Sequence, residues 1–158
     1  MVEIELPNYK ISVFGLDTDK TAVATGRNLP ISPKHAREIC QELKGKYLET
    51  AQEYLEEVIL GNRSIPFRRY NRKVSHRSDL SKWPSGRYPQ KAAREILRVL
   101  ENAEQNSSFK GLETSRLRIT HMLAQRGRKV RGFTPRSQGR SSPSHHTLTH
   151  IEVVVTEE

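Results

Sequence analysis

A chain of 158 residues is long enough for one domain with a modest core, but a hydrophobic fraction of 34% limits how much of it can be buried. The formal net charge of +9 favours a polyanionic partner, either nucleic acid or an anionic membrane surface. No apolar run is long enough to span a membrane, the N-terminus lacks the pattern of a secretory signal, and one cysteine excludes a disulfide framework, so we expect a cytosolic protein.

The first regular elements are predicted after a weakly patterned segment, residues 1–19, which we expect to be extended or loosely held. The alternation in Thr21–Arg27 predicts a strand. Ser32 suits the N-cap of a first helix, and Pro33 suits its first position, where the missing N–H costs nothing. Gly45 is placed to end this helix in a left-handed cap. Its apolar side chains recur at helical spacing and predict a buried stripe of Ala36, Ile39, Cys40 and Leu43.

Two further helices are predicted. The second has a capping-box sequence, Thr50–Glu53, and Gly61 stops it. Its buried stripe is predicted to be Ala51, Tyr54, Leu55 and Val58. The third begins near Pro89 and is broken by Asn106–Gly111. Its buried stripe is predicted to be Ala93, Ile96, Leu97, Leu100 and Ala103.

Residues 63–88, between the second and third helices, have no sustained period and are rich in arginine. The stretch Arg63–Arg94 holds ten Arg/Lys and a single acid, Asp79. Aromatic side chains lie among these cations: Phe67, Tyr70, Trp83 and Tyr88. They predict either stacking on bases beside phosphate-binding guanidinium groups, or simple pinning of a long loop to the body.

A basic arm is predicted between two alternating runs, residues 117–123 and 148–155. We expect Leu117, Ile119, His121 and Leu123 to share one face of the first strand, and Ile151, Val153 and Val155 one face of the last. Residues 125–150 hold six Arg/Lys and no acid. Arm strands of about ten residues would reach on the order of 30 Å. The alternative, a disordered basic loop, is disfavoured by the strands on either side.

Three helices and about three strands that do not alternate as βαβ units predict an α+β fold. We expect a single domain, residues 1–158. Its body comprises residues 20–125 and 147–156, its extended hairpin residues 126–146, and its basic inserted loop residues 63–88.

No convincing active site is predicted. His145, His146 and His150 suggest a metal site, but adjacent residues of an extended strand point to opposite faces and no cysteine lies nearby, so we expect no metal. Cys40 lies on an apolar helix stripe and is expected to be a buried structural thiol. No glycine-rich nucleotide-binding motif occurs, and we expect no cofactor and no catalysis.

Several blocks resemble one known family. GFTPRSQGR (residues 132–140) and THIEVVV (149–155) look like the hairpin of the universal large-subunit ribosomal protein L-twenty-two, named L-seventeen in eukaryotes. NLPISPKHAREICQELKG (28–45) is similar to the family's first helix. IPFRRYNRKVSHR (65–77) and GRYPQKAAREILRVLENAEQN (86–106) resemble the archaeal and eukaryotic branch. The resemblance covers roughly residues 20–156 in collinear order, and the short C-terminus after Val155 favours the archaeal type.

The resemblance implies three helices packed on a small three-stranded antiparallel sheet, with a long protruding hairpin. It also implies a cytoplasmic, structural protein of the large ribosomal subunit. Its partners would be large-subunit rRNA, neighbouring large-subunit ribosomal proteins and, at the hairpin tip, the nascent polypeptide in the exit tunnel. The family's PRAxGRA motif maps to Pro135–Ser141, where Ser137 and Ser141 replace alanines and make the tip more polar.

The residues expected to bind rRNA are basic side chains of the hairpin and the inserted loop: Arg126, Arg128, Lys129, Arg131, Arg136, Arg140, Arg68, Arg69, Arg72, Lys73 and Arg77. The tip is expected to comprise Phe133, Pro135, Arg136, Ser137, Gln138, Gly139 and Arg140. Two other functions stay open: a free-standing RNA-binding regulator, and a metal-dependent nuclease that uses the three histidines. Charge alone does not separate the first of these from a ribosomal protein, whereas the collinear motifs do.

Overall fold

Three helices pack against an antiparallel sheet in the computed structural model of the chain, which describes residues 11–158. The elements in chain order are β1 (Thr21–Leu29), α1 (Pro33–Leu43), α2 (Leu48–Leu60), β2 (Ile65–Pro66), β3 (Gly86–Arg87), α3 (Gln90–Phe109), a 3₁₀ turn (Thr114–Arg116), β4 (Leu117–Pro135) and β5 (Ser141–Glu157).

The large sheet has the order β1-β5-β4 and is antiparallel throughout, while β2 and β3 form a separate two-stranded sheet. This architecture confirms the predicted α+β fold of three helices on a three-stranded sheet with a long hairpin. Of the weakly patterned segment 1–19, residues 1–10 lie outside the described residues. Within residues 11–158, no helix combines the length and the apolar composition that crossing a membrane requires.

The predicted start of α1 is confirmed, with Ser32 as its N-cap residue and Pro33 as its first residue. Gly45 has the expected left-handed φ of +87°, but it lies beyond the C-cap residue Lys44 and its N–H donates to the Ile119 carbonyl of β4, not to the helix. The predicted stripes of the three helices are buried together with the inner face of the sheet, except that Leu97 is only half-buried. The core therefore lies between the helices and one face of the sheet.

The capping box predicted for α2 is wrong. The helix begins at Leu48, so Thr50 lies in its first turn and caps nothing. Leu48 is buried in the core, and the backbone of Tyr47 pairs with Arg118 of β4, so tertiary contacts fix the helix start three residues earlier than predicted. At the other end, Gly61 has the predicted left-handed cap with φ of +85°.

The predicted segment Asn106–Gly111 does end α3: the helix runs into it as far as Phe109, and Gly111, after the C-cap residue Lys110, has a left-handed φ of +76°. Ser107 is buried and its hydroxyl donates to the carbonyl of Glu104 at 2.6 Å. The Asn106 amide donates to the carbonyl of Val23 in β1 at 2.8 Å. These contacts hold the last turn on the sheet.

One bulge in β4 overturns the predicted faces of its side chains. The register slips between Ile119 and His121, so one extra residue stands opposite β5. From that point the alternation is inverted: Met122 is buried, whereas His121 and Leu123 lie on the outer face. His121 there faces Ser12, with Nε2 and Oγ 3.4 Å apart, and its pKa is lowered by burial and by nearby Lys44.

Candidate nucleic-acid interface

The hairpin of β4 and β5 continues beyond the body as a paired ribbon. Its register runs without interruption from Lys129 opposite Thr147 out to Pro135 opposite Ser141. The tip closes with hydrogen bonds from the Arg136 N–H to the Arg140 carbonyl at 2.8 Å and from the Arg140 N–H to the Ser137 carbonyl at 3.3 Å. The basic segment is therefore an extended β arm, not a compact turn.

The six basic side chains of the arm are exposed: Arg126, Arg128, Lys129, Arg131, Arg136 and Arg140. Among residues 11–158, no carboxylate forms a salt bridge with any of them. Lys129, Arg131 and Phe133 alternate along one face of β4, and Phe133 is 69% exposed. The arm thus presents unneutralised positive charge with an apolar ring near its end.

The tip turns through two consecutive residues with left-handed backbone, Gln138 with φ of +59° and Gly139 with φ of +65°. Glycine suits this conformation, and Gln138 adopts it at some steric cost. Ser137 and Ser141, the two departures from the family motif, are both exposed. Their hydroxyls therefore make the end of the arm more polar than alanines would.

The base of the arm is held by polar contacts that the sequence did not indicate. The buried hydroxyl of Thr149 donates to the Ile31 carbonyl at 2.8 Å. The Asn28 N–H donates to Nδ1 of His150 at 3.0 Å. β5 is thereby tied to the end of β1 and to the turn that follows it.

The three candidate metal-binding histidines are not brought together as a site. His150 uses Nδ1 to accept the hydrogen bond from Asn28, while His145 and His146 lie opposite Arg131 and Val130 along the arm. In the part of the chain that the structure describes, no group of three His, Cys, Asp or Glu side chains is arranged to hold a metal ion.

The close approach of the two arm strands can be tested by a substitution at Gly132. A Cβ at this position would lie 2.8 Å from the backbone carbonyl oxygen of Ser144 on β5. We expect Gly132→Ala to push the strands apart and to destabilise the arm by about 1–3 kcal/mol, which hydrogen exchange of the arm amides would measure. Gly139→Ala is the matched control, because its Cβ would meet nothing within 4 Å and only its positive φ opposes the change. Equal exchange in the two variants would contradict this expectation.

The inserted loop, residues 63–88, is pinned by two of its aromatic side chains. Phe67 is 1% exposed and packs in the core. The Trp83 indole N–H donates to the Phe67 carbonyl at 2.9 Å. For these two residues the pinning interpretation is correct, and base stacking by Phe67 is excluded because its ring is buried.

Two carboxylates shape the loop, and neither was identified from the sequence. Glu38 of α1 is 1% exposed, and its oxygens accept the backbone N–H groups of Arg68, Arg69 and Tyr70 at 3.0–3.1 Å. The sequence signal that could have identified Glu38 is an acidic residue beside the apolar stripe of α1. Asp79 accepts the N–H and hydroxyl of Ser64; burial acts to raise its pKa, but these hydrogen bonds lower it overall.

The loop cations differ in how freely they are presented. Arg69, Arg72 and Lys73 are exposed and form no salt bridge with a carboxylate of residues 11–158. Arg68 is also exposed, but it forms a salt bridge with Glu42 at 3.2 Å. Arg77 is half-buried; its guanidinium lies 4.9 Å from the Tyr88 ring centre and its Nε donates to the Gly86 carbonyl. Arg77 therefore has a structural role in addition to any contact with RNA.

Cys40 does not provide a nucleophile. The thiol is buried in the core, and this burial raises its pKa to about 12. A thiol of this kind is protonated at neutral pH and unreactive.

Comparisons with known proteins match this architecture. The family model described as ribosomal protein L22p/L17e matches residues 24–156. The large ribosomal subunit protein uL22 of Methanosphaera stadtmanae is 52% identical over 139 residues, which cover 88% of this chain and 90% of that protein. The uL22 proteins of Methanopyrus kandleri and Methanothrix thermoacetophila are each 50% identical and cover 95% of this chain, with 95% and 96% of their own lengths matched.

Proposed function

Because the chain belongs to the ribosomal protein L22p/L17e family, and is accordingly a structural, non-enzymatic constituent of the large ribosomal subunit, we propose that it binds large-subunit rRNA through its β arm and inserted loop. Its location is the cytoplasm, where the large subunit resides. The whole chain then acts as a single rRNA-binding domain, with residues 126–146 as the arm and residues 63–88 as a second contact region.

The charge of the arm carries this proposal. Six exposed cations lie on a paired ribbon without a carboxylate partner in residues 11–158, an arrangement that repels itself unless anions surround it. Phosphate groups of RNA supply such anions, and release of their counterions favours binding. The two paired strands fix the spacing of the cations along the ribbon.

The inserted loop supports a second contact on the body. Glu38 and Asp79 hold its backbone, so that Arg69, Arg72 and Lys73 are presented from a shaped surface. Phosphate contacts of this kind set the orientation of a protein on RNA without reading its sequence. With the arm and the loop both bound, the body is oriented by two separate rRNA contacts.

The end of the arm is proposed to line the nascent-polypeptide exit tunnel, as the family resemblance implies. Its exposed residues combine the Phe133 ring, the hydroxyls of Ser137 and Ser141, and the side chain of Gln138. A mixed polar surface of this kind gives a passing polypeptide little to adhere to. Neighbouring large-subunit proteins are proposed to contact the remaining surface of the body.

A photoreactive amino acid at Gln138 tests the tunnel position. In large subunits that carry a stalled nascent chain, we expect it to crosslink to that chain. The same probe at Glu101, an exposed residue of α3, is the control and should not crosslink to it. Sedimentation through a sucrose gradient would first establish that both proteins are in large subunits. With that shown, absence of a crosslink from Gln138 would exclude the tunnel position and leave rRNA binding standing.

A further inference from the structure

A groove lies between the first turn of α1 and the inserted loop. It has a volume of about 390 Å³ and is lined by Lys34 and His35 from the helix, by Phe67 and Arg69–Arg72 of the loop, and by Arg87 of β3. Volumes from roughly 300 Å³ upwards are typical of sites that enclose a small ligand. This groove is therefore of a size to take one nucleotide, but not a duplex.

The lining of the groove is strongly basic. It holds four cationic side chains and no carboxylate: Lys34, Arg69, Arg72 and Arg87. Among residues 11–158, none of the four forms a salt bridge. Arg87 does donate to the Lys73 carbonyl at 3.2 Å, which fixes the position of its guanidinium. Four cations around one concavity favour a phosphate group there.

Aromatic rings complete the groove. Tyr70 is half-buried, with the Lys34 ammonium 5.6 Å and the Arg69 guanidinium carbon 5.9 Å from its ring centre. The His35 ring stands edge-on to the Phe67 ring, with the centres 5.3 Å apart. Burial, Arg87 and Lys34 all lower the pKa of His35, so its imidazole is neutral at neutral pH and able both to donate and to accept a hydrogen bond.

The groove is held in shape before any ligand arrives. The Glu38 carboxylate bonds the backbone N–H groups of Arg69 and Tyr70, and Phe67 is anchored in the core. Little ordering of the loop is then needed on binding, which favours affinity.

We propose that this groove binds a single unpaired nucleotide of large-subunit rRNA, with its phosphate on the four cations and its base against Tyr70 and His35. The proposal rests on the proposed rRNA-binding function and deepens it. RNA-binding proteins commonly take bases from unpaired segments and stack them on aromatic and arginine side chains. It adds Lys34, His35, Tyr70 and Arg87 to the rRNA-binding surface.

Two variants separate the base contact from the phosphate contact. With the complete chain and deproteinised large-subunit rRNA, Tyr70→Leu should weaken binding by about 5- to 150-fold without changing its dependence on salt, because only stacking is lost. Lys34→Gln with Arg87→Gln should lower the slope of log affinity against log salt by up to about 0.7, because the one phosphate in the groove loses two of its four cations. Arg98→Ala with Arg116→Ala removes the same charge from two exposed arginines that are paired with Glu95 and Glu113, and should change neither quantity.

Chemical probing of the rRNA bases then locates the ligand. Both groove variants should change the reactivity of the same unpaired nucleotide, relative to wild type. The proposal would be overturned if Tyr70→Leu bound rRNA with wild-type affinity, or if the changes in reactivity were scattered over many nucleotides. The groove would then be a charged surface without a specific nucleotide. The proposal would also be overturned if the groove bound added adenosine monophosphate but the groove variants changed the reactivity of no rRNA nucleotide. If the wild-type chain itself did not bind the rRNA, the proposed function would fail instead.

Discussion

Replacing all six arm cations by glutamine is expected to lower affinity for large-subunit rRNA by on the order of a thousandfold at physiological salt. Each lost phosphate contact removes its share of counterion release, so the slope of log affinity against log salt should fall by about 4 to 5. The substitutions are at Arg126, Arg128, Lys129, Arg131, Arg136 and Arg140, all exposed. Filter binding over a salt series would measure both quantities.

The body should fold normally in this variant, because the six side chains form no salt bridge within residues 11–158. An unchanged melting temperature would show that. A matched control removes six other charges from the body, at Lys20, Lys44, Lys91, Arg94, Arg98 and Arg116. If the control lost as much affinity and as much salt dependence as the arm variant, binding would follow net charge, and the arm would have no special part in it.

The arm variant and the control variant should also differ in their assembly into large subunits. The arm charges lie along one hairpin, which is paired from Lys129 to Pro135 beyond a register shift after Arg126, so they can act together on one stretch of RNA. Single substitutions among them should weaken binding modestly, since each phosphate contact adds a similar small increment. The multiple variant should be missing from large subunits separated on a sucrose gradient.

Local patterns in the sequence predicted the elements of the fold but not their tertiary adjustments. The helix stripes and the left-handed residues Gly45 and Gly61 follow from short-range chemistry, and they are confirmed. The bulge after Ile119 does not, because one extra residue leaves no mark in composition and yet reverses the faces of the side chains that follow it, as far as the second register shift after Arg126. The start of α2 at Leu48 is likewise set by pairing with a strand about 70 residues away in the chain.

The candidate site divides in the same way. The exposure of the arm cations was predictable, because a basic run without acids between two strands is typical of a segment that binds a polyanion. The supports of the site were not, because Thr149, His150 and Glu38 act on backbone groups far from them in sequence. A polar residue beside an apolar stripe shows that a buried partner is needed, but not which backbone segment supplies it.

The buried Glu38 carboxylate is expected to be the most sensitive single position in the body. Glu38→Ala would leave the N–H groups of Arg68, Arg69 and Tyr70 without an acceptor in a nearly inaccessible site. We expect the free energy of unfolding to fall by about 3–5 kcal/mol, since three backbone N–H groups lose their charged acceptor and each buried donor left unsatisfied costs about 1–3 kcal/mol. Denaturant unfolding would measure this loss.

The effect should be concentrated in the loop, which distinguishes it from a general loss of packing. Exchange of the amides of residues 68–70 should accelerate far more than that of α3, and the groove beside Tyr70 should lose its affinity for rRNA. Glu42→Ala is the matched control one turn along α1, where the half-buried carboxylate pairs with Lys46 and Arg68 near the surface and is worth at most about 1 kcal/mol. Slow exchange at residues 68–70 in Glu38→Ala would show that the loop keeps its shape without the carboxylate, and the preformed groove would then need another cause.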